Sequence, residues 1–293
     1  MSTSRIAVIG LGRMGWHMAA HLAAKGYDSG RAVSVCDVVP GVAQKWVDEN
    51  GGTAFTDAAA AVEGCDIVIT SLPADRELFA VADAILPVLS EGSLWVDHST
   101  TSAEGARVVH ARGAEKNVAF LDAPVSGGVD GARNGTLTVM AGGDREAFDR
   151  AEKIMGAYAA RVTLMGSSGA GQITKMTNQI CVVGLCQALA EGLDFAESAG
   201  LDVSKVIHVM LQGSSASWQM ANRAEKMLAG EYNYGFSTTL MRKDVGLVLD
   251  EAKSMNIPLP VTTMVGQMLA DVSAMGGDTW DWCSLMERQR HSH

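Results

Sequence analysis

The sequence predicts an α/β protein: a doubly wound, mainly parallel sheet followed by an all-helical half. Three observations predict it. Up to about Gly166, short apolar runs alternate with helical stretches. After Gly166 the strand pattern stops and helical stretches follow one another. A glycine turn, Gly10-Leu11-Gly12-Arg13-Met14-Gly15, joins the first apolar run, Ile6-Ala7-Val8-Ile9, to a stretch over 16–25 that reads as a helix ended by Gly26.

The elements follow in order. The run 32–36 ends at Asp37. Ile67-Val68-Ile69-Thr70 follows Asp66, and Leu94-Trp95-Val96 ends at Asp97. Val118-Ala119-Phe120-Leu121 ends at Asp122, Leu137-Thr138-Val139-Met140 at Gly142-Gly143, and Val162-Thr163-Leu164 before Gly166. Helical stretches such as 76–89 and 145–160 lie between them. This spacing builds βαβ units, and parallel sheets bind ligands at the carboxyl ends of their strands. Ser71, Asp97, Ser99, Thr100 and Ser126 collect there. In the second half, helices are expected over 168–198, 202–212 with Asp202 as cap, 218–228, 239–255 and 261–275. The boundary falls near Gly166, giving a sheet domain over 1–166 and a helical domain over 167–293. Residues 173–190 are apolar nearly all round, which asks for burial on every side. A homodimer or homotetramer is the expected source of that cover.

Length and composition set bounds. A chain of 293 residues can build two domains with real cores. Hydrophobic residues at 47% and charged residues at 19% fit a soluble globular protein. No uninterrupted apolar stretch reaches the roughly 18 residues of a membrane span. The first five residues lack signal-peptide architecture. The net charge of −10 argues against nucleic-acid or anionic-membrane partners. The five cysteines are scattered, without a C-x-x-C, and three sit in apolar contexts, so a reducing, cytoplasmic location is expected. His17 and His21 lie four apart on the first helix, but no metal-ligand motif surrounds them, and no metal is expected. The 16 methionines read as core filling.

Strand, glycine turn and helix are the context in which G-x-G-x-x-G binds a dinucleotide. Gly10 makes the tight turn, Gly12 admits a pyrophosphate to the backbone, and Gly15 lets helix and strand pack closely. Asp37 lies 22 residues after Gly15, near the spacing of about 20 for a carboxylate that binds an adenosine ribose. That carboxylate favours NAD and repels the 2′-phosphate of NADP. Val38 and Val39 supply no basic residue for that phosphate, although Arg13 can approach one from the glycine loop.

Three further segments carry candidate chemistry. In Asp122-Ala123-Pro124-Val125-Ser126-Gly127-Gly128, backbone N–H groups and the Ser126 hydroxyl form either a cradle for a small carboxylate or a structural glycine loop. Lys175 is the only charged residue between Gly169 and Ala190. It is either a desolvated lysine suited to general acid/base work or one reaching the surface. Asn178 and Gln179 follow at i+3 and i+4 and share its face. Lys243 and Asp244 form either a surface pair or a contact for the cofactor's nicotinamide end.

Taken together, 10–22, 37–40, Leu72-Pro73, 97–100, 122–143, 169–178 and 236–247 resemble the β-hydroxyacid dehydrogenases, in this order and over most of the chain. The resemblance implies a Rossmann-type domain, a long interdomain helix over about 168–198 and a helical C-terminal domain that dimerises. By that likeness Lys175 is the catalytic lysine, and Asn178 supports it and the substrate. Ser126, Gly127 and Gly128 hold the substrate carboxylate. Gly10, Leu11, Gly12, Arg13, Met14, Gly15, Asp37, Leu72, Pro73, Thr100 and Lys243 line the cofactor site, with Asp244 fixing Lys243. The implied activity is NAD-dependent interconversion of a small 3-hydroxy acid, of the 3-hydroxyisobutyrate kind, and its semialdehyde. Reduction of tartronate semialdehyde or sulfolactaldehyde is the alternative. Imine reductases share the scaffold but generally lack the lysine, and a non-catalytic dinucleotide-binding module is a further rival. The chain departs from the pattern at Gln179, often asparagine, at His98, usually serine, and at Glu77, where some members have a cofactor-contacting asparagine. Residues 214–218 resemble a substrate-lining stretch.

Overall fold

The computed structural model describes residues 4–26 and 33–291. Ala32, the expected start of the second strand, lies outside them, as do the first three residues of the N-terminal reading.

The described chain forms β1 (Ile6–Ile9), α1 (Gly15–Ala24), β2 (Ser34–Cys36), α2 (Val42–Asn50), β3 (Thr53–Phe55), α3 (Ala58–Val62), β4 (Ile67–Thr70), α4 (Asp75–Ile85), β5 (Leu94–Asp97), α5 (Ala103–Ala114) and β6 (Ala119–Asp122). Then come β7 (Val125–Ser126), α6 (Gly128–Asn134), β8 (Leu137–Gly142), α7 (Arg145–Met155) and β9 (Ala159–Gly166). The sheet order is β3-β2-β1-β4-β5-β6-β8-β7, with β9 beside β8. The strands β1 to β6 pair in parallel, while β8 runs antiparallel to β6 and β7. Order reverses between β1 and β4, and such a switch point is where doubly wound sheets take ligands.

Alternation within each strand divides the core. Ile6, Val8, Ile67, Ile69, Leu94 and Val96 enter one buried cluster. Ala7, Ile9, Val68 and Trp95 enter another. Helices therefore cover both faces, which is why these strands read as unbroken apolar runs.

Helices follow: α8 (Ala170–Ser198), α9 (Val203–Met210), α10 (Trp218–Ala229), α11 (Thr238–Ser254), α12 (Pro260–Ala274) and α13 (Leu285–Arg290), with a 3₁₀ turn at Trp282–Ser284. Asp202 caps α9 by accepting from the Lys205 N–H. Val183, Cys186, Leu193, Met220, Val245, Leu269 and Trp282 contribute to the core of this half.

Several boundaries differ from the sequence reading. Instead of running to 160, α7 stops at Met155, where Gly156 ends it and buried Tyr158 leads into β9. The segment 125–134 contains a two-residue strand and a short helix; its glycines and polar residues carry no apolar period to announce either. The compact units divide between Lys175 and Met176, within α8. The reason is local: the Asp122 carboxylate accepts from the N–H groups of Gly169 and Gln172, tying the opening turns of α8 to the sheet unit. Among the described residues, α8 is also long and apolar enough, by length and composition, to cross a membrane. A count of uninterrupted apolar residues misses this because Gln172, Lys175, Gln179, Gln187 and Asp194 interrupt the helix. Gln179 and Asp194 are hydrogen-bonded to Asp244 and Gln289, as suits a helix buried in a protein core.

Candidate active site

The glycine loop leaves β1 at Gly10, whose N–H donates to Cys36 O at 2.8 Å. Gly10 has φ +90°, and a Cβ there would stand 2.3 Å from Ser71 O. A Cβ on Gly15 would stand 1.9 Å from Gly10 O. These two glycines are required by the chain's own backbone. Gly12 differs: a Cβ there would meet nothing within 4 Å. Its lack of a side chain answers no internal packing need and suits the approach of a pyrophosphate. No side chain caps α1 and no acidic residue lies in its first turn, so the helix's own residues do not oppose an anion there.

Asp37 follows β2. Its Oδ2 accepts from Leu11 N and its Oδ1 from Val39 N, both at 2.8 Å. Each oxygen keeps lone-pair capacity for a ribose hydroxyl. Val38 and Val39 are exposed. The loop and carboxylate together fit a dinucleotide.

The ends of β4 and β5 are joined by a buried network. Thr70 Oγ1 donates to Asp97 Oδ1 at 2.6 Å, and Ser99 Oγ donates to the same oxygen at 2.5 Å. Trp95 Nε1 donates to Thr70 Oγ1 and Leu72 N to Ser99 Oγ. Both hydroxyl protons are thus committed to Asp97, and the network anchors Leu72. Pro73 and Thr100 flank it, exposed and half-buried. Glu77 pairs with Arg76.

Asp97 is fully buried, and Oδ2 has no partner. Burial raises its pKa from 3.8 to about 6, against the pull of the two hydroxyls. A native pKa above the unfolded value contributes stability that is present below pH 3.8 and lost as pH rises through about 6. Asp97→Asn should therefore gain stability relative to wild type between pH 4 and 7, by up to about 3 kcal/mol. Denaturant unfolding of both proteins at the two pH values checks this; an unchanged difference would contradict it.

His98, the departure from serine, faces inward. Its Nδ1 lies 2.6 Å from Ala123 O and its Nε2 2.7 Å from Tyr158 Oη. A carbonyl only accepts, so Nδ1 carries the proton and Nε2 accepts from the tyrosine. Burial lowers the histidine pKa to about 4, which keeps it neutral. It is a packing residue. His21 is similarly engaged, with Nε2 at 3.0 Å from Ala132 O.

Ser126 closes β7 in register with Thr138 of β8. Gly127 and Gly128 follow at φ +123° and +64°, both exposed. Asp122, buried at the end of β6, has its pKa raised to about 6 by burial. Gln172 adds two bonds, accepting from Thr101 N and donating to Ser99 O. Sequence reasoning singled out neither Asp122 nor Gln172 as an anchor. A strand-end aspartate beside a glycine-rich helix start was the available signal.

Lys175 ends the sheet unit, half-buried on α8. In the helical unit, Asn178 Nδ2 donates to Gln179 Oε1 at 2.8 Å, and Gln179 Nε2 donates to Asp244 Oδ2 at 2.6 Å. The Lys243 ammonium lies 3.1 Å from Asp244 Oδ1. Asp244 is only 1% exposed, so this is no solvated surface pair.

A glycine loop followed by a strand-end carboxylate, on a sheet of this order, defines the class of dinucleotide-binding folds. Comparisons with known proteins narrow the class. A model of the NAD binding domain of 6-phosphogluconate dehydrogenase matches residues 5–167. A model described as "NAD-binding of NADP-dependent 3-hydroxyisobutyrate dehydrogenase" matches residues 169–288. The chain is 46% identical to an uncharacterized oxidoreductase of Shewanella frigidimarina, over 99% of each chain. It is 34% identical to 3-hydroxyisobutyrate dehydrogenase of Pseudomonas aeruginosa, over 90% of this chain and 91% of that one. The structure of Mycobacterium tuberculosis 3-hydroxyisobutyrate dehydrogenase with L-serine superposes with a TM-score of 0.88 at 30% identity, covering 99% of this chain and all of the other. The chain belongs to the β-hydroxyacid dehydrogenase family. It is an NAD(P)-dependent dehydrogenase acting on CH–OH groups.

Proposed function

We propose that this enzyme interconverts a small 3-hydroxy acid, of the 3-hydroxyisobutyrate kind, and its semialdehyde, with NAD as the preferred cofactor. The observation that carries the reading is Lys175, the single charge on the apolar stretch of α8. Ser126 and the Gly127 and Gly128 amides hold the substrate carboxylate. Lys175 takes the hydroxyl proton on oxidation and returns it on reduction, and Asn178 orients lysine and substrate. Asp37, Leu72, Pro73 and Thr100 hold the cofactor with the glycine loop, and Lys243 is its contact from the helical half. Bound NAD supplies the hydride acceptor. A short acid oxidised or reduced at its β-carbon, as a β-hydroxyl or a β-aldehyde, is common to relatives named for 3-hydroxyisobutyrate and L-serine and to one named 2-hydroxy-3-oxopropionate reductase. Reduction of tartronate semialdehyde or sulfolactaldehyde uses the same groups in reverse. A panel of short hydroxy acids and aldehydes at fixed NAD or NADH tests the reading; turnover of none of them removes it.

Asp37 supports NAD over NADP, because a 2′-phosphate would face a carboxylate whose neighbours are Val38 and Val39. The expected kcat/KM is lower with NADP than with NAD, and an equal or higher value contradicts the preference.

A homo-oligomer, dimer or tetramer, completes the proposal. Cys181, Leu185, Ala188 and Phe195 of α8 are exposed in the single chain, Phe195 by 77%. Light scattering at micromolar concentration should give a multiple of 30.8 kDa; the monomer mass would contradict it. The free cysteines, four of them buried, suit a reducing cytoplasm.

A further inference from the structure

We propose that Gln179 is a positioning residue that sets the polarity of the Asn178 amide. The inference rests on the proposed role of Lys175 and Asn178. Gln179 is almost fully buried, and its amide nitrogen faces two acceptors, Asp244 Oδ2 at 2.6 Å and Met241 Sδ at 3.7 Å. A carboxylate and a thioether cannot donate. Turning the amide over would set Oε1 against both, an acceptor on acceptors. The NH₂ end therefore faces Asp244, and Oε1 faces Asn178.

Asn178 must then present its own NH₂ to Oε1, as its 2.8 Å bond shows. Its Oδ1 is then the acceptor end, turned away from Gln179. Lys175 lies three positions earlier on the same helix, the spacing at which side chains are neighbours. An ammonium is a pure donor, so an acceptor is what it requires. The polarity runs from Asp244 through Gln179 to Asn178, and leaves an acceptor for the group that Asn178 supports in the proposed mechanism. The charged groups facing Gln179 within the helical unit are Asp244 and, through it, Lys243, which holds the other carboxylate oxygen. An asparagine at 179 carries the same groups on an arm one methylene shorter. The glutamine spans the distance to a carboxylate on α11.

Two variants and two readouts test this. Gln179→Leu removes both bonds, and its kcat should fall at least tenfold at every pH. Gln179→Glu should behave differently. When the introduced carboxyl and Asp244 share one proton, the O–H donates to Asp244 and the carbonyl still accepts from Asn178, so the polarity survives. When both ionise, it fails. The ratio of Gln179→Glu to wild-type kcat should therefore rise as pH falls, reversibly in one sample, which also shows that the variant is folded. The second readout needs no turnover: the Asn178 side-chain amide cross-peak in ¹⁵N NMR should shift in Gln179→Leu. A constant Gln179→Glu ratio across pH, a wild-type kcat in Gln179→Leu, or an unmoved Asn178 cross-peak overturns the inference. If wild type oxidises no hydroxy acid, the function reading fails and the NMR readout alone decides the role of Gln179.

Discussion

Replacing Lys175 with Ala or Met should cut kcat by roughly 10²–10⁴-fold, the range for a positioned proton-transfer group, and leave NAD affinity nearly intact. Lys175 lies on α8, whereas the proposed pyrophosphate and ribose contacts are at Gly10–Gly15 and at Asp37, which is tied to Leu11. The pH profile should lose the limb belonging to this group. Ser126→Ala should behave in the opposite way, raising KM with little change in kcat, because a carboxylate clamp acts in ground and transition states alike. Steady-state kinetics beside NADH-fluorescence titration separates the two patterns. A folded Lys175→Ala enzyme that binds NAD and turns over within a few-fold of wild type removes the lysine from the mechanism and reopens the non-dehydrogenase readings.

The second large effect divides the glycine loop. Gly12→Ala should fold with stability within about 0.5 kcal/mol of wild type and bind NAD at least tenfold more weakly, because its Cβ meets no protein atom within 4 Å. Gly15→Ala should lose about 3 kcal/mol or more, because its Cβ would sit 1.9 Å from Gly10 O and force α1 away from β1. Thermal melts with and without NAD make the comparison. A Gly12→Ala protein with unchanged NAD affinity would deny the loop its place on the pyrophosphate. A Gly15→Ala protein of wild-type stability would deny the close contact of helix and strand.

Periodicity and spacing carried much of this outline. Continuous apolar runs ended by aspartate or glycine marked the parallel strands, and G-x-G-x-x-G marked the tight turn from β1 into α1. The small elements at 125–134 were not legible. A two-residue strand is defined by its partner, here β8, and carries no period of its own. Lys175 stood out because a lone charge in an apolar helix is visible in one dimension. Asp122 did not, because its meaning lies in the N–H groups of Gly169 and Gln172, far along the chain.

The sequence by itself determined the alternation of the longer strands and helices, the all-helical second half and the chemical groups at strand ends, since these follow from nearest-neighbour sterics and burial patterns within one segment. Only the tertiary structure decided the protonation and polarity of those groups. His98 is neutral because Ala123 and Tyr158 surround it, and Asp97 has a raised pKa because it is buried with one oxygen unpartnered. Gln179 points its NH₂ at Asp244 because α11 brings an acceptor there. Desolvation and hydrogen-bond direction depend on which distant atoms enclose a group, and that information exists only after the chain has folded.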